Sequence, residues 1–248
     1  MNARTFLALT ALLVSAACFA QADYAREQRW ADELTPGLVV GDAVYLQQKA
    51  GHKFLAIYTA AAQPRAAVIV VHGLGVHPDW ALIGALRSGL ADQGYTTLSV
   101  QMPVLAANAK SEDYPALFPD AGDRLQAAVA YLNTKGHHPI ALVSHSMGSR
   151  MSNFFLTHSP DNGIAAWASI GVSSGEFAEP AKLRLPVLDI YGERDFPQVL
   201  KNADARAATL KLLKGSAQIE VAGADHYFAG NERELVRHVR QFLDRKFK

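Results

Sequence analysis

Ser146, Asp195 and His226 are the residues of this 248-residue chain whose types and order could carry nucleophilic chemistry. A serine hydroxyl attacks a carbonyl only when a base takes its proton, and imidazole is the side chain best suited to that near neutral pH. A carboxylate beside the imidazole fixes its orientation and stabilises its protonated form. Each of the three follows a separate apolar segment, over residues 139–143, 186–190 and 218–221, that reads as a strand. Three side chains delivered from the ends of neighbouring strands can meet at one edge of a sheet.

The surroundings of each residue sharpen the assignment. Ser146 lies in Ser144-His145-Ser146-Met147-Gly148, between the apolar run 139–143 and a helical segment 149–158. Strand, sharp turn with a central serine, then helix is the setting of a nucleophile elbow, G-x-S-x-G, with Ser144 standing where the first glycine would be. Serine is small enough for that crowded position. Ser144 as the nucleophile is the competing assignment, but it sits at the strand's end, before the turn. Asp195 closes Tyr191-Gly192-Glu193-Arg194-Asp195 and could instead cap a helix; Asp189 competes with it as the acid but lies within the strand. His226 belongs to Gly223-Ala224-Asp225-His226-Tyr227-Phe228. A fourth piece, His72-Gly73-Leu74-Gly75, follows the apolar run 66–71. Acyl transfer builds an oxyanion that fixed backbone donors stabilise, and the Leu74 and Met147 N–H groups are the expected pair.

The elements that must position these residues alternate. After a short helix near 23–34 and a Pro36-Gly37 break, two strands are expected over 38–46 and 52–59, with the looser alternation of an antiparallel edge. From residue 66 the pattern becomes strand and helix in turn: strands at 66–71, 96–100, 139–143, 164–170, 186–191 and 218–221, and helices at 80–93, 120–135, 149–158, within 195–213, and 232–247. This predicts an α/β fold, a mostly parallel central sheet with helices on both faces. Only residues 171–185 separate the strand after the elbow helix from the next, room for one short helix and no large cap domain. Residues 102–119 form a long irregular stretch that could border a site or be a packed surface loop. Trp80, Leu74 and Phe118 are candidates for an apolar wall of the site, with ordinary core or surface packing as the alternative for each.

Composition narrows the function classes. The 24 basic and 23 acidic residues leave a net charge of +1, and no basic stripe points to nucleic acid. No metal-ligand spacing, dinucleotide pattern or phosphate loop occurs, so no cofactor and no metal are expected. Arg4, an apolar run over 6–17 and Ala20-Gln21-Ala22 read as a signal peptide, residues 1–22, ahead of a single domain, 23–248. The apolar run is too short for a stable membrane span, which takes about 20 residues. The expected location is periplasmic or secreted. An uncleaved anchor, or lipidation of Cys18 within Ser15-Ala16-Ala17-Cys18, is the minor alternative. Cys18 is the only cysteine, so cleavage after Ala22 would leave a domain without disulfide or thiolate chemistry.

From about residue 38 onward the chain resembles an α/β-hydrolase of the esterase/lipase superfamily. HGLG, SHSMG, YGERD and ADHYF match its oxyanion turn, elbow, acid and base motifs in position, and the order Ser, Asp, His is that superfamily's. His77 to Trp80 (HPDW), Pro103 to Ala107 (PVLAA) and Val187 to Asp195 (VLDIYGERD) resemble an uncharacterised family of exported proteobacterial α/β-hydrolase-like proteins. The resemblance implies a carboxylesterase-like serine hydrolase acting on a small-molecule acyl substrate, with Ser146, Asp195 and His226 catalytic. It implies a packing role for His145. Two alternatives use the same scaffold: a non-catalytic envelope binding protein and an acyltransferase. The substrate and any protein partner stay unknown.

Overall fold

The structure is a computed structural model and describes residues 21–247. Most of the expected leader, with Cys18, lies outside the described residues. Ala22 is buried against the core, and the Asp23 N–H donates to the Val104 carbonyl at 2.7 Å.

Eight strands form one sheet in the order β1-β2-β4-β3-β5-β6-β7-β8. They are β1 (Asp42–Gln47), β2 (Lys53–Thr59), β3 (Ala66–Val71), β4 (Tyr95–Val100), β5 (Ile140–His145), β6 (Ile164–Ile170), β7 (Val187–Arg194) and β8 (Ala217–Asp225). β2 pairs antiparallel with both β1 and β4, and every other pairing is parallel. The helices are α1 (Tyr24–Leu34), α2 (Ala81–Asp92), α3 (Phe118–Thr134), α4 (Met147–His158), α5 (Pro197–Lys201), α6 (Ala203–Leu210) and α7 (Glu232–Lys246).

Layering follows from the pleat. In β3 every residue is buried, and alternate side chains enter opposite cores. Ala67, Ile69 and Val71 join the core built with α3 and α4, while Ala66, Val68 and Val70 join the one built with α2 and α7. Because β3 to β8 run parallel, they all deliver their C-terminal ends to one edge of the sheet, where ligand crevices of such folds lie.

Three expectations change in detail. The first strand begins at Asp42, because the chain through Val39 and Val40 is exposed and pairs with no strand. The single helix expected within 195–213 is two, broken at Asn202. The irregular stretch 102–119 contains a 3₁₀ segment, Ser111–Leu117, that runs directly into α3. Residues 171–185 hold one 3₁₀ turn, Pro180–Lys182, and no cap domain.

Candidate active site

Ser146, Asp195 and His226 come together at the C-terminal edge, just beyond β5, β7 and β8. The His226 Nε2 lies 2.9 Å from the Ser146 Oγ, and its Nδ1 lies 2.6 Å from the Asp195 Oδ1. All three are buried, at 7 %, 5 % and 2 % exposure in chain order, so little water competes for these bonds. Asp195 is held by its neighbours: the Phe196 N–H donates to Oδ1 at 2.7 Å and the Gly192 N–H to Oδ2 at 3.3 Å. The Phe196 ring stacks on the His226 imidazole, with centroids 3.8 Å apart. Asp189, the competing acid, is spent elsewhere: its Oδ2 accepts from Arg206 Nε and Gln218 Nε2, both at 2.8 Å.

The turn at Ser146 has the strain expected of an elbow. Its φ of 57° is unfavourable for a residue with a Cβ. Its N–H donates to the Ile170 carbonyl at 2.9 Å, tying the turn to β6. Glycine is required at 148: a Cβ there would overlap the His72 carbonyl and stand 3.0 Å from the Val71 carbonyl. This close seating lets the N-terminus of α4 abut the end of β3.

Ser144 has a role that its small size alone does not suggest. The fully buried Trp167 donates its Nε1–H to the Ser144 Oγ at 2.8 Å. The Ser149 hydroxyl donates to the Ser144 carbonyl at 2.7 Å. The non-glycine residue therefore supplies the acceptor for a buried indole.

The glycine-rich turn lies against the elbow. A Cβ on Gly73 would stand 3.1 Å from the Ser146 Cβ, so a larger residue would crowd the two turns. His72 fixes the turn from beneath. Its Nε2 accepts the Met102 N–H at 2.9 Å, which leaves Nδ1 as the donor to the Gly73 carbonyl at 2.8 Å. Arg26 of α1 fixes it from the side, donating to the Gly75 carbonyl at 3.0 Å and the Leu105 carbonyl at 2.8 Å. Neither the Leu74 nor the Met147 N–H donates to another described residue, and both residues line the cleft beside Ser146.

Two buried histidines are held neutral. Burial pushes both His72 and His145 down to about 3. The His145 Nε2–H donates to the His226 carbonyl at 2.9 Å, and its Nδ1 has no partner. His145 thus packs beside His226 and steadies its backbone.

The cleft has a volume of about 370 Å³. Leu74, Val76, Trp80, Phe196 and Tyr227 contribute apolar lining, and Ser111, Arg150, Ser173 and Gln198 polar lining. Of the three candidates for an apolar wall, Leu74 and Trp80 line the cleft. Phe118 does not line the cleft; its ring lies 5.4 Å from the Arg150 guanidinium. Phe196, Arg26 and Arg150 were not anticipated. Adjacency to Asp195 could have singled out Phe196, and the four-residue step from Ser146 could have singled out Arg150. A second concavity, about 510 Å³ between residues 180–186 and 209–214, holds none of the site residues. Among the described residues, no group of three or more His, Cys, Asp or Glu is gathered as metal ligands would be.

Comparisons with known proteins agree on architecture. Residues 20–121 match the family described as "Protein of unknown function (DUF3530)", a match that includes the glycine-rich turn at 72–75 and ends before Ser146. No curated protein matches the chain. Among solved structures, dienelactone hydrolase from Anabaena variabilis is similar at TM-score 0.67 and 18% identity, over 84% of this chain and 98% of that one. An α/β serine hydrolase without a lid from Xanthomonas campestris gives TM-score 0.65 and 18% identity, over 84% and 95%. A protein of unknown function from Agrobacterium tumefaciens gives TM-score 0.66 and 21% identity, over 82% and 95%. With its sheet order, its single reversed strand and these neighbours, the chain has the α/β-hydrolase fold.

Proposed function

We propose that the protein is a serine hydrolase that cleaves an ester or related acyl bond. The observation that carries this reading is the unbroken hydrogen-bond series from Asp195 through His226 to Ser146, at 2.6 and 2.9 Å, opening on a cleft. Ser146 Oγ attacks the carbonyl carbon as His226 Nε2 takes its proton. The oxyanion accepts from the Leu74 and Met147 N–H groups. Collapse expels the alcohol, which receives the proton from His226, and leaves an acyl-serine. Water then attacks the acyl-serine by the same proton path and releases the acid. Asp195 holds the imidazole in the required tautomer throughout. The leader expected over residues 1–22 adds the proposal that this chemistry takes place outside the cytoplasm.

A panel of short-chain neutral esters, assayed with wild type and Ser146→Ala, tests the reading. Turnover should fall at least about a thousandfold in the variant, and a fluorophosphonate should label wild type on Ser146. Equal rates in the two proteins, or a folded wild type that neither turns over nor labels, would remove Ser146 from the chemistry.

A further inference from the structure

The acyl chemistry leaves one charged side chain of the cleft unused. Arg150 lies one helical turn beyond Ser146 on α4 and lines the same cleft. Ser146 and Arg150 line the same cleft, so the guanidinium and the nucleophile border one space.

Other interior arginines are paired: Arg87 with Asp79, Arg124 with Glu27 and Arg206 with Asp189. Arg150, half-buried, makes no ion pair or hydrogen bond with any described residue. Burial alone pulls its pKa below the usual arginine value, and no neighbouring carboxylate pulls the other way. The helix does not account for a cation here either, because the first turn is the positive end of the dipole. What holds the side chain is Phe118, whose ring lies under the guanidinium and is itself packed at 5.9 Å against Phe154. A π contact of this kind orients the guanidinium while leaving its N–H donors free.

The rest of the lining fits a substrate that is apolar at one end and anionic at the other. Arg150 is the only lysine, arginine, aspartate or glutamate among the lining residues. Ser173 also borders the cleft, and its Oγ is buried without a partner. Trp80, Val76 and Tyr227 add apolar surface to the same lining. One guanidinium, with no second cation beside it, matches the single charge of a carboxylate better than the double charge of a phosphate monoester.

We infer that Arg150 receives a free carboxylate carried by the substrate, so that the preferred substrates are esters bearing a carboxylate on their acyl or alcohol part. The carboxylate takes no part in bond making. Water still adds across the acyl C–O bond, and Arg150 holds the far end of the molecule. The inference rests on the proposed hydrolysis for its kinetic test but not for its binding test.

Two matched ester pairs separate the sources of the charge. On the acyl side, the mono-para-nitrophenyl ester of octanedioic acid is compared with its methyl-capped diester. On the alcohol side, para-carboxyphenyl butyrate is compared with its methyl ester. In one series wild type should prefer the charged member by about tenfold or more in kcat/KM. Arg150→Gln should lower that charged-to-neutral ratio by about tenfold, chiefly through KM, and Arg150→Lys should fall between. Circular dichroism checks that each variant folds. Calorimetric binding of the same compounds to Ser146→Ala gives a readout that needs no turnover. The charged member should bind about tenfold tighter, less so in high salt, and the advantage should vanish in Ser146→Ala/Arg150→Gln. No preference for charge in either series, or a preference that survives Arg150→Gln, overturns the inference. If wild type turns over no ester at all, the hydrolase reading fails by itself and the binding comparison still decides the role of Arg150.

Discussion

Ser144 illustrates how a single atom can decide what a position tolerates. The elbow pattern asks for glycine at this place on steric grounds, yet the hydroxyl accepts the indole N–H of Trp167 at 2.8 Å in a site without solvent. Restoring the pattern with Ser144→Gly removes that acceptor and leaves a buried donor unpaired, which costs about 1–3 kcal/mol. Added backbone freedom in the unfolded chain costs a further fraction of a kcal/mol. We therefore expect Ser144→Gly to lower the urea midpoint while its folded fraction keeps the wild-type kcat. An unchanged midpoint would mean that the indole finds another partner. The residue type was legible in the sequence as small; the reason for it was not, because Trp167 is 23 positions away and its orientation depends on the pairing of β5 with β6.

At the scale of elements, the site depends on a helix that contributes nothing to the cleft. α1 packs near the glycine-rich turn at 72–75 and is fastened by two side chains. Arg26 bridges the Gly75 and Leu105 carbonyls, and Glu27, almost fully buried, pairs with Arg124 of α3 at 2.9 Å. Arg26→Met should release the Gly75 carbonyl and loosen the turn that carries the Leu74 N–H. Oxyanion donors act through placement, so kcat should drop about tenfold while KM for a neutral ester changes little. Arg26→Lys should rescue it only in part, because one ammonium lacks the fork that spans both carbonyls. A loss confined to KM would assign Arg26 to substrate binding instead. The strands and helices themselves were readable from apolar runs and glycine stops: β6 and α7 begin where the pattern placed them. The fastening of α1 was not, since its partners lie 49 to 97 residues away and leave no local periodicity.

For the whole molecule, the two neutral histidines beneath the site couple stability to pH. Parallel strands delivering their ends to one edge could be foreseen from strand and helix alternation, and with it the meeting of Ser146, Asp195 and His226. How deeply His72 and His145 would be enclosed could not, because burial is set by how α2, α4 and the loops close over the sheet. Both stand at about 3 in the folded protein, lowered by burial. In the unfolded chain they return to about 6.5. Between these values the unfolded state binds more protons than the folded one, so stability rises with pH across the window and is lost as pH falls from about 6.5 toward 3. Each histidine contributes a slope of about 1.4 kcal/mol per pH unit within that window. Urea unfolding at pH 7.5, 6 and 5 should therefore give a steadily falling stability. In His72→Gln, whose amide oxygen can still accept the Met102 N–H, the fall between pH 6 and 5 should be shallower by about one proton's worth. Parallel pH dependences in wild type and variant would mean that His72 gains no proton on unfolding, and that other groups account for the acid sensitivity.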